Sequence, residues 1–129
     1  ESKTPLHWAA MNGKSDLCRL LLAHGAKVGD RDDKGWTALH FAAAEGHADT
    51  AQLLCNHGAA VDARTDSGAT PLIFAVDADH IHVVRALLAA GADPGIADHR
   101  GRTCALVAAE GGQRDAMLAA LSQTSNAAS

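Results

Sequence analysis

Histidine is the residue in this sequence most often used for chemistry, and eight are present. His7 and His40 stand at one position of a repeated segment, TPLHWAA and TALHFAA, whereas Ile73 and Leu106 stand there in its later copies. A catalytic or metal-binding His would not occur twice and then be replaced by aliphatic side chains. We therefore predict that His7 and His40 are structural.

The other candidates for chemistry are no stronger. His80 and His82 form an H-x-H pair, but such residues on a helix point about 200° apart and cannot share a metal ion. The cysteines are Cys18, Cys55 and Cys104. They form no close pair, which is typical of reduced, buried thiols in the cytoplasm or nucleus. No C-x-x-C, G-x-S-x-G or Walker-type loop occurs in the sequence. We predict a non-enzyme with no catalytic residue, cofactor or metal ion.

A repeat of 33 residues organises the whole sequence. Its marker residues are Thr4, Thr37, Thr70 and Thr103. Two glycine series keep the same register, namely Gly25, Gly58, Gly91 and Gly35, Gly68, Gly101. Residues 4–31 and 37–64 share 14 identities in 28 aligned positions. This agreement predicts several copies of one structural unit.

The fold of one unit follows from its residue types. Thr4 is a good N-cap, and the proline after it suits a first helical turn, so a helix runs from there to Gly13. A second helix is predicted at residues 15–24, where leucines recur at helical spacing before Gly25. The residues from 26 to 36 are rich in Gly and Asp and predict an extended, hairpin-like loop.

The pattern resembles the ankyrin repeat family. The resemblance rests on T-P-L-H-x-A-A at Thr4–Ala10, on Gly46 and His47, on L-L-x-x-G-A at Leu87–Ala92, and on D-x-x-G at Asp32–Gly35. It implies an all-α solenoid of stacked helix-turn-helix units with protruding β-hairpin-like loops. It also implies that the repeated His hydrogen-bonds to nearby backbone and to the Thr hydroxyl.

The resemblance covers residues 1–124 as a single domain. The predicted units are unit one (1–31), unit two (32–64), unit three (65–97) and unit four (98–124), followed by a disordered polar tail (125–129). Unit one lacks its leading Asp and Gly, so we expect upstream sequence to continue the stack. Asp79 replaces the repeated glycine in unit three and indicates an altered turn there.

In the resembled family, loop tips and the ends of the first helices line a concave face that binds partners. The corresponding loop residues are Asp33, Lys34, Trp36, Asp66, His99, Arg100 and Arg102. The corresponding helix residues are Met11, Asn12, Glu45 and Asp77. Trp36 is the predicted anchor, because a partner covering it would bury ~150–250 Å² of ring surface. The alternative is that Trp36 lies flat on its neighbouring loop.

Two further expectations concern packing and charge. Trp8 occupies the position of Phe41, Phe74 and Val107, which predicts a place in the core. The middle loops are acidic and the last loop is basic, which favours a partner with an acidic segment at one end.

These observations predict a non-catalytic protein–protein interaction module that binds a protein or peptide. Two alternatives remain. One is a small anionic, nucleotide-like ligand held by Trp36 and Lys34, and the other is the targeting arm of a larger enzyme, channel or ubiquitin-ligase adaptor. A net charge of −4 gives no basic field for nucleic acid, and no apolar run reaches membrane-spanning length. We expect a monomer in the cytoplasm or nucleus.

Overall fold

The computed structural model describes residues 3–111, which form seven α-helices joined by turns. The helices are α1 (Pro5–Met11), α2 (Ser15–Ala23), α3 (Ala38–Glu45), α4 (Ala48–Asn56), α5 (Pro71–Asp77), α6 (Ile81–Ala89) and α7 (Cys104–Gly111). Each of units one to three supplies two helices, as predicted. No residue between 3 and 111 is in a β-strand, so the loops are hairpin-like only at their tips. The second half of unit four and the predicted tail at 125–129 lie outside the described residues.

The helices form two layers. The first helices of successive units pack side by side, α1 against α3, α3 against α5 and α5 against α7. The second helices do the same, α2 against α4 and α4 against α6. This arrangement confirms the predicted solenoid, in which each unit contacts its neighbours in the sequence.

The predicted role of the repeated His is also confirmed. The Thr4 hydroxyl oxygen accepts the His7 backbone N–H at 3.2 Å, and His7 Nδ1 accepts the Thr4 backbone N–H at 3.0 Å. His7 Nε2 lies 2.9 Å from the carbonyl oxygen of Asp30. His40 makes the same contacts with Thr37. The His thus joins the start of its helix to the loop that follows the next helix.

A single apolar core runs through all four units. Small residues fill the space between first helices, and leucines and valines fill the space between the layers. Fully buried members include Ala10, Leu39, Ala43, Leu54, Leu72, Val83 and Leu87. Alanine side chains are small, so they let the first helices of neighbouring units pack closely.

The prediction that Trp8 belongs to the core is wrong. Its side chain is 55% exposed, whereas Phe41, at the same position of unit two, is 7% exposed. Phe41 is covered by Lys3, whose ammonium lies 5.6 Å from the ring centroid, and by Trp36. Phe41 also contacts His7 of unit one, with ring centroids 5.5 Å apart, so contacts between units contribute to burial at this position.

Candidate partner-binding face

Two of the three loop tips are built around a buried aspartate, Asp32 or Asp98, and the third around the buried Thr65. Oδ1 of Asp32 accepts the backbone N–H groups of Lys34 and Trp36, both at 2.9 Å. Burial raises the pKa of the Asp32 carboxyl, but these two donors and the nearby charge of Lys3 together hold the pKa below its ordinary value. Asp32 therefore shapes the tip from inside and is not a free charge for a partner.

Unit four repeats this construction. The backbone N–H of Arg102 donates to Asp98 at 3.0 Å and that of Arg100 donates at 2.9 Å. The first of these bonds is the main reason that the pKa of Asp98 is lowered. Nε of Arg102 also donates to Oδ2 of Asp98 at 3.1 Å, and the Arg102 side chain is only partly exposed. Arg102 is thus engaged in the tip structure, while the Arg100 side chain is exposed.

The tips are tied to one another across units. The backbone N–H of Asp66 donates to the carbonyl of Lys34 at 3.1 Å, and that of His99 donates to the carbonyl of Ser67 at 2.9 Å. The three tips therefore form one continuous edge with a fixed spacing.

Two arginines at the loop bases strengthen this edge. Arg31 Nη1 donates to the carbonyl of Arg64 at 2.7 Å, and Arg64 Nη2 donates to the carbonyl of Ala97 at 2.8 Å. Each guanidinium also donates to a carbonyl in its own loop, that of Gly35 or Gly68. The shared repeat position of the arginines was visible in the sequence, but their backbone partners were not.

Trp36 does not project freely from its loop, and it does not lie on a neighbouring loop either. Its ring centroid is 4.8 Å from that of Phe41 and 4.4 Å from that of Phe74. Phe41 lies on α3 and Phe74 on α5, so the loop tryptophan packs across two first helices. Trp36 and Phe74 both stay half-buried, which leaves part of this aromatic cluster accessible.

The other predicted site residues are mostly exposed. The exposed side chains at the tips are Asp33, Lys34, Asp66, His99 and Arg100, and those at the ends of the first helices are Asn12, Glu45 and Asp77. Met11 is half-buried. We call this set, together with Trp36 and Phe74, the loop-and-helix face. Trp36 contacts Phe41 on α3 and Phe74 on α5, so this loop tip lies beside the first helices.

Among residues 3–111, metal binding and thiol chemistry find no support. No group of three or more His, Cys, Asp or Glu within residues 3–111 is arranged to hold a metal ion. Burial, with Asp62 and Asp93 nearby, raises the pKa of the Cys104 thiol to about 12, so little thiolate forms near neutral pH. Burial also raises the pKa of the Cys18 and Cys55 thiols.

An open groove of about 570 Å³ lies at the turns between first and second helices, on the far side of each helix from the Thr cap. His47, Asp49 and His82 line it. The Nε2 atom of His47 is 3.0 Å from the carbonyl oxygen of Met11, so this ring holds two units together. Sequence reasoning did not single out this groove.

The geometry agrees with comparison to known proteins. The sequence model described as ankyrin repeats (3 copies) matches residues 1–65 and 57–128. The chain belongs to the ankyrin repeat family. Ankyrin repeats are generally protein–protein interaction modules without catalytic activity. No helix of this ankyrin domain within residues 3–111 is long and apolar enough to cross a membrane.

Individual relatives of the ankyrin domain match over one repeat length. The human 26S proteasome non-ATPase regulatory subunit 10 is 43% identical over 37 residues, which are 29% of this chain and 16% of that protein. The mouse ankyrin repeat domain-containing protein 13B is 51% identical over 35 residues, which are 27% of this chain and 6% of that protein. The matches thus span less than a fifth of either relative.

Proposed function

We propose that this ankyrin domain is a non-catalytic interaction module that binds a protein or peptide on its loop-and-helix face. One observation carries the proposal. The hydrogen-bonded frame of the loops repeats from unit to unit, while the exposed side chains on that frame differ, as at Lys34, Ser67 and Arg100. A surface with a fixed spacing and freely varied side chains is suited to selective recognition of a partner.

The chemistry of the face narrows the class of partner. The half-buried Trp36 and Phe74 offer apolar surface, which a partner side chain would cover. The exposed tip charges run from Asp33 and Lys34 through Asp66 to His99 and Arg100. A partner segment with an apolar side chain at the centre and a carboxylate toward the last loop would complement this order.

Charge reversal at the tips tests the proposed face. The variant Lys34→Glu/Arg100→Glu changes two exposed side chains, so the fold should be unaffected. The matched control is Arg19→Glu/Arg85→Glu, which makes the same change in net charge on the second helices α2 and α6. Immobilised wild type and both variants are exposed to cell extract, and the captured proteins are quantified by mass spectrometry.

The two variants should behave differently. We expect the tip variant to lose proteins that the wild type and the second-helix variant retain. If both variants lose the same proteins, only net charge matters and the loop-and-helix face is not the binding surface. If the tip variant captures the same proteins as the wild type, the proposal also fails.

The domain is further proposed to act as the targeting part of a larger protein. In support, the curated relatives that it matches are much longer than the matched segment. Expression of the complete gene product, with and without residues 1–129, would test this role by comparing which proteins it captures.

A further inference from the structure

One position of the loop tips carries Lys34 in unit two, Ser67 in unit three and Arg100 in unit four, at the repeat spacing. All three side chains are exposed, and we call these residues the tip row. Backbone hydrogen bonds hold the tips side by side, from Asp66 N–H to the Lys34 carbonyl at 3.1 Å and from His99 N–H to the Ser67 carbonyl at 2.9 Å. The Ser67 hydroxyl therefore lies on a fixed edge, with a lysine on one side and an arginine on the other.

The centre of the tip row differs from its two ends in the residue that is buried beneath it. At each end, Oδ1 of a buried aspartate accepts the backbone N–H of the tip-row residue at 2.9 Å. In unit three the buried residue is Thr65, whose hydroxyl oxygen lies 3.0 Å from that of Ser67. A negative group on Ser67 would therefore meet a neutral hydroxyl, whereas one at either end would meet a carboxylate.

The ionisable neighbours of Ser67 also allow a negative group there. The Asp66 carboxylate is turned toward the preceding tip, since its Oδ1 lies 2.7 Å from the place that a Cβ on Gly35 would take. The His99 imidazole lies over Gly68, the residue after Ser67, with Nε2 2.9 Å from the corresponding place. The side of Ser67 that faces unit four thus offers an imidazole as well as a guanidinium.

We propose that Ser67 is a phosphorylation site, and that its phosphate pairs with Lys34 and Arg100 across the three tips. The phosphoryl donor is ATP, and the catalyst is a protein kinase. Oγ of Ser67 forms a bond to the γ-phosphorus while the bond from that phosphorus to the bridging oxygen breaks. ADP leaves with the electron pair, and the hydroxyl proton passes to the catalytic aspartate of the kinase.

The sequence around Ser67 narrows the class of kinase. Arg64 stands three residues before Ser67, and its exposed side chain lies beside the same tip, where Nε donates to the Gly68 carbonyl at 3.1 Å. Kinases select their substrates partly by the pattern of charges near the acceptor hydroxyl. A kinase that requires an arginine at this distance is therefore the expected enzyme.

The modification changes the charge at the centre of the tip row. A phosphoserine carries about −1.5 to −2 charges at pH 7 and forms charge-assisted hydrogen bonds with lysine and arginine. Pairing engages the two cations that would otherwise meet a partner carboxylate, so phosphorylation should release such a partner. This regulatory step rests on the proposed function, whereas the modification and the pairing do not.

The first test is the phosphorylation itself. The folded wild type and Ser67→Ala are incubated with MgATP and protein kinases that require an arginine three residues before the acceptor, and the phosphate is located by peptide mass spectrometry. Both chains should keep the same fold, because Ser67 is exposed. We expect phosphate on Ser67 in the wild type and none in that peptide of the variant. A wild type that stays unmodified at Ser67 would overturn the proposal.

The second test measures the pairing by the phosphorus NMR signal of the phosphorylated chain during a pH titration. We expect the second pKa of the phosphate to lie about half a pH unit or more below its ordinary value of about 6, because nearby cations favour the dianion. Lys34→Gln/Arg100→Gln should return this pKa to the value that the same chain shows when unfolded in urea. The matched control Arg19→Gln/Arg85→Gln, which makes the same charge change on α2 and α6, should leave it lowered.

The pairing would be refuted if the two double variants gave the same pKa. Capture from cell extract then tests the regulatory step: the phosphorylated domain should lose the proteins that Lys34→Glu/Arg100→Glu loses. Retention of those proteins would refute regulation while leaving the proposed binding face intact. Neither mass spectrometry of Ser67 nor the phosphorus signal depends on a partner, so failure of the proposed function would not be mistaken for failure of the site.

Discussion

His40 is held at both nitrogens of its imidazole ring. Nδ1 accepts the backbone N–H of Thr37 at 2.9 Å, and Nε2 lies 2.9 Å from the carbonyl oxygen of Ala63 and 3.2 Å from that of Ala69. These partners require a neutral ring with its proton on Nε2. Burial accordingly lowers the pKa of His40 to about 4. The ring fixes the base of the unit-three loop, so its protonation bears on the loop-and-helix face.

This pKa predicts a loss of stability in mild acid. The unfolded ring has a pKa of about 6.5, so between pH 6.5 and pH 4 the unfolded chain binds more protons than the folded one. The contribution of His40 is fully present above pH 6.5 and is lost as the pH falls toward 4. A shift of this size corresponds to roughly 3 kcal/mol of unfolding free energy at most. Urea unfolding at pH 7 and pH 4.5 measures it.

The control for this prediction comes from the chain itself. Unit three carries Ile73 at the position of His40, so His40→Ile copies a side chain that the fold accepts there. We expect the variant to lose less stability than the wild type between pH 7 and pH 4.5. Equal losses would show that another group controls the acid response.

For single residues, the sequence predicted structural roles better than it predicted burial and packing partners. The structural role of His40 was predictable because aliphatic residues replace it in later units. The exposure of Trp8 and the packing of Trp36 were not, because contacts between units, such as that of Trp36 with Phe74, decide burial at these positions. The same limit applies to Asp32 and Asp98, whose carboxylates accept backbone N–H groups inside the tips instead of facing a partner.

At the scale of elements, the turn between the two helices of a unit depends on the next unit. Gly46 ends α3 with φ +83°, and a Cβ there would lie 2.7 Å from the His80 ring. Gly13 has φ +67° and stands in the same relation to His47. The left-handed backbone is one reason for glycine at these turns. The sequence could not reveal the second reason, the imidazole of the following unit.

Gly58 and Gly46 distinguish the effect of backbone strain from the effect of contact with the imidazole of the following unit. Gly58 has φ +89°, and no atom lies within 4 Å of the place that a Cβ would take there, so Gly58→Ala adds only backbone strain of about 1–2 kcal/mol. Gly46→Ala adds the same strain and also displaces His80 from its bond to the carbonyl of Ala44. We expect a clearly lower urea midpoint for Gly46→Ala than for Gly58→Ala.

Removing the imidazole checks the cause. His80→Ala should destabilise the wild type but should cost less in the Gly46→Ala background, because the ring has already been displaced there. Additive effects of the two changes, measured as a double-mutant cycle by urea unfolding, would contradict the proposed contact.

Asp79 stands at the turn of unit three that corresponds to Gly13 and Gly46. Among residues 3–111 it is the one non-glycine residue with positive φ, 64°. The altered turn expected from the sequence is thus a left-handed aspartate. Asp79→Gly should relieve strain and raise the unfolding free energy by about 0.5–1 kcal/mol. Ala78→Gly is the matched control, since Ala78 has φ −88° and should lose stability instead. A thermal melt that falls for both variants would show that Asp79 is not strained.

At the scale of the whole molecule, one contiguous core joins the units, and no unit has a core of its own. The buried cluster runs from Leu6 in unit one to Ala108 in unit four without interruption. The fully buried thiols of Cys18 and Cys104 mark its two ends. Since a single unit cannot cover its apolar surface, loss of packing in the middle units should lower the stability of the units at both ends. The repeat spacing predicted this stack.

Leu54→Ala tests this coupling. Leu54 is fully buried between the layers in unit two, so its truncation should cost roughly 2–5 kcal/mol. Cys18 and Cys104 should resist alkylation in the folded chain, and peptide mass spectrometry follows their labelling as urea is increased. In a coupled stack the two labelling midpoints coincide and shift downward together in Leu54→Ala. If Cys104 instead became reactive at its own midpoint, unchanged by Leu54→Ala, unit four would unfold independently and the loop-and-helix face would not behave as one surface.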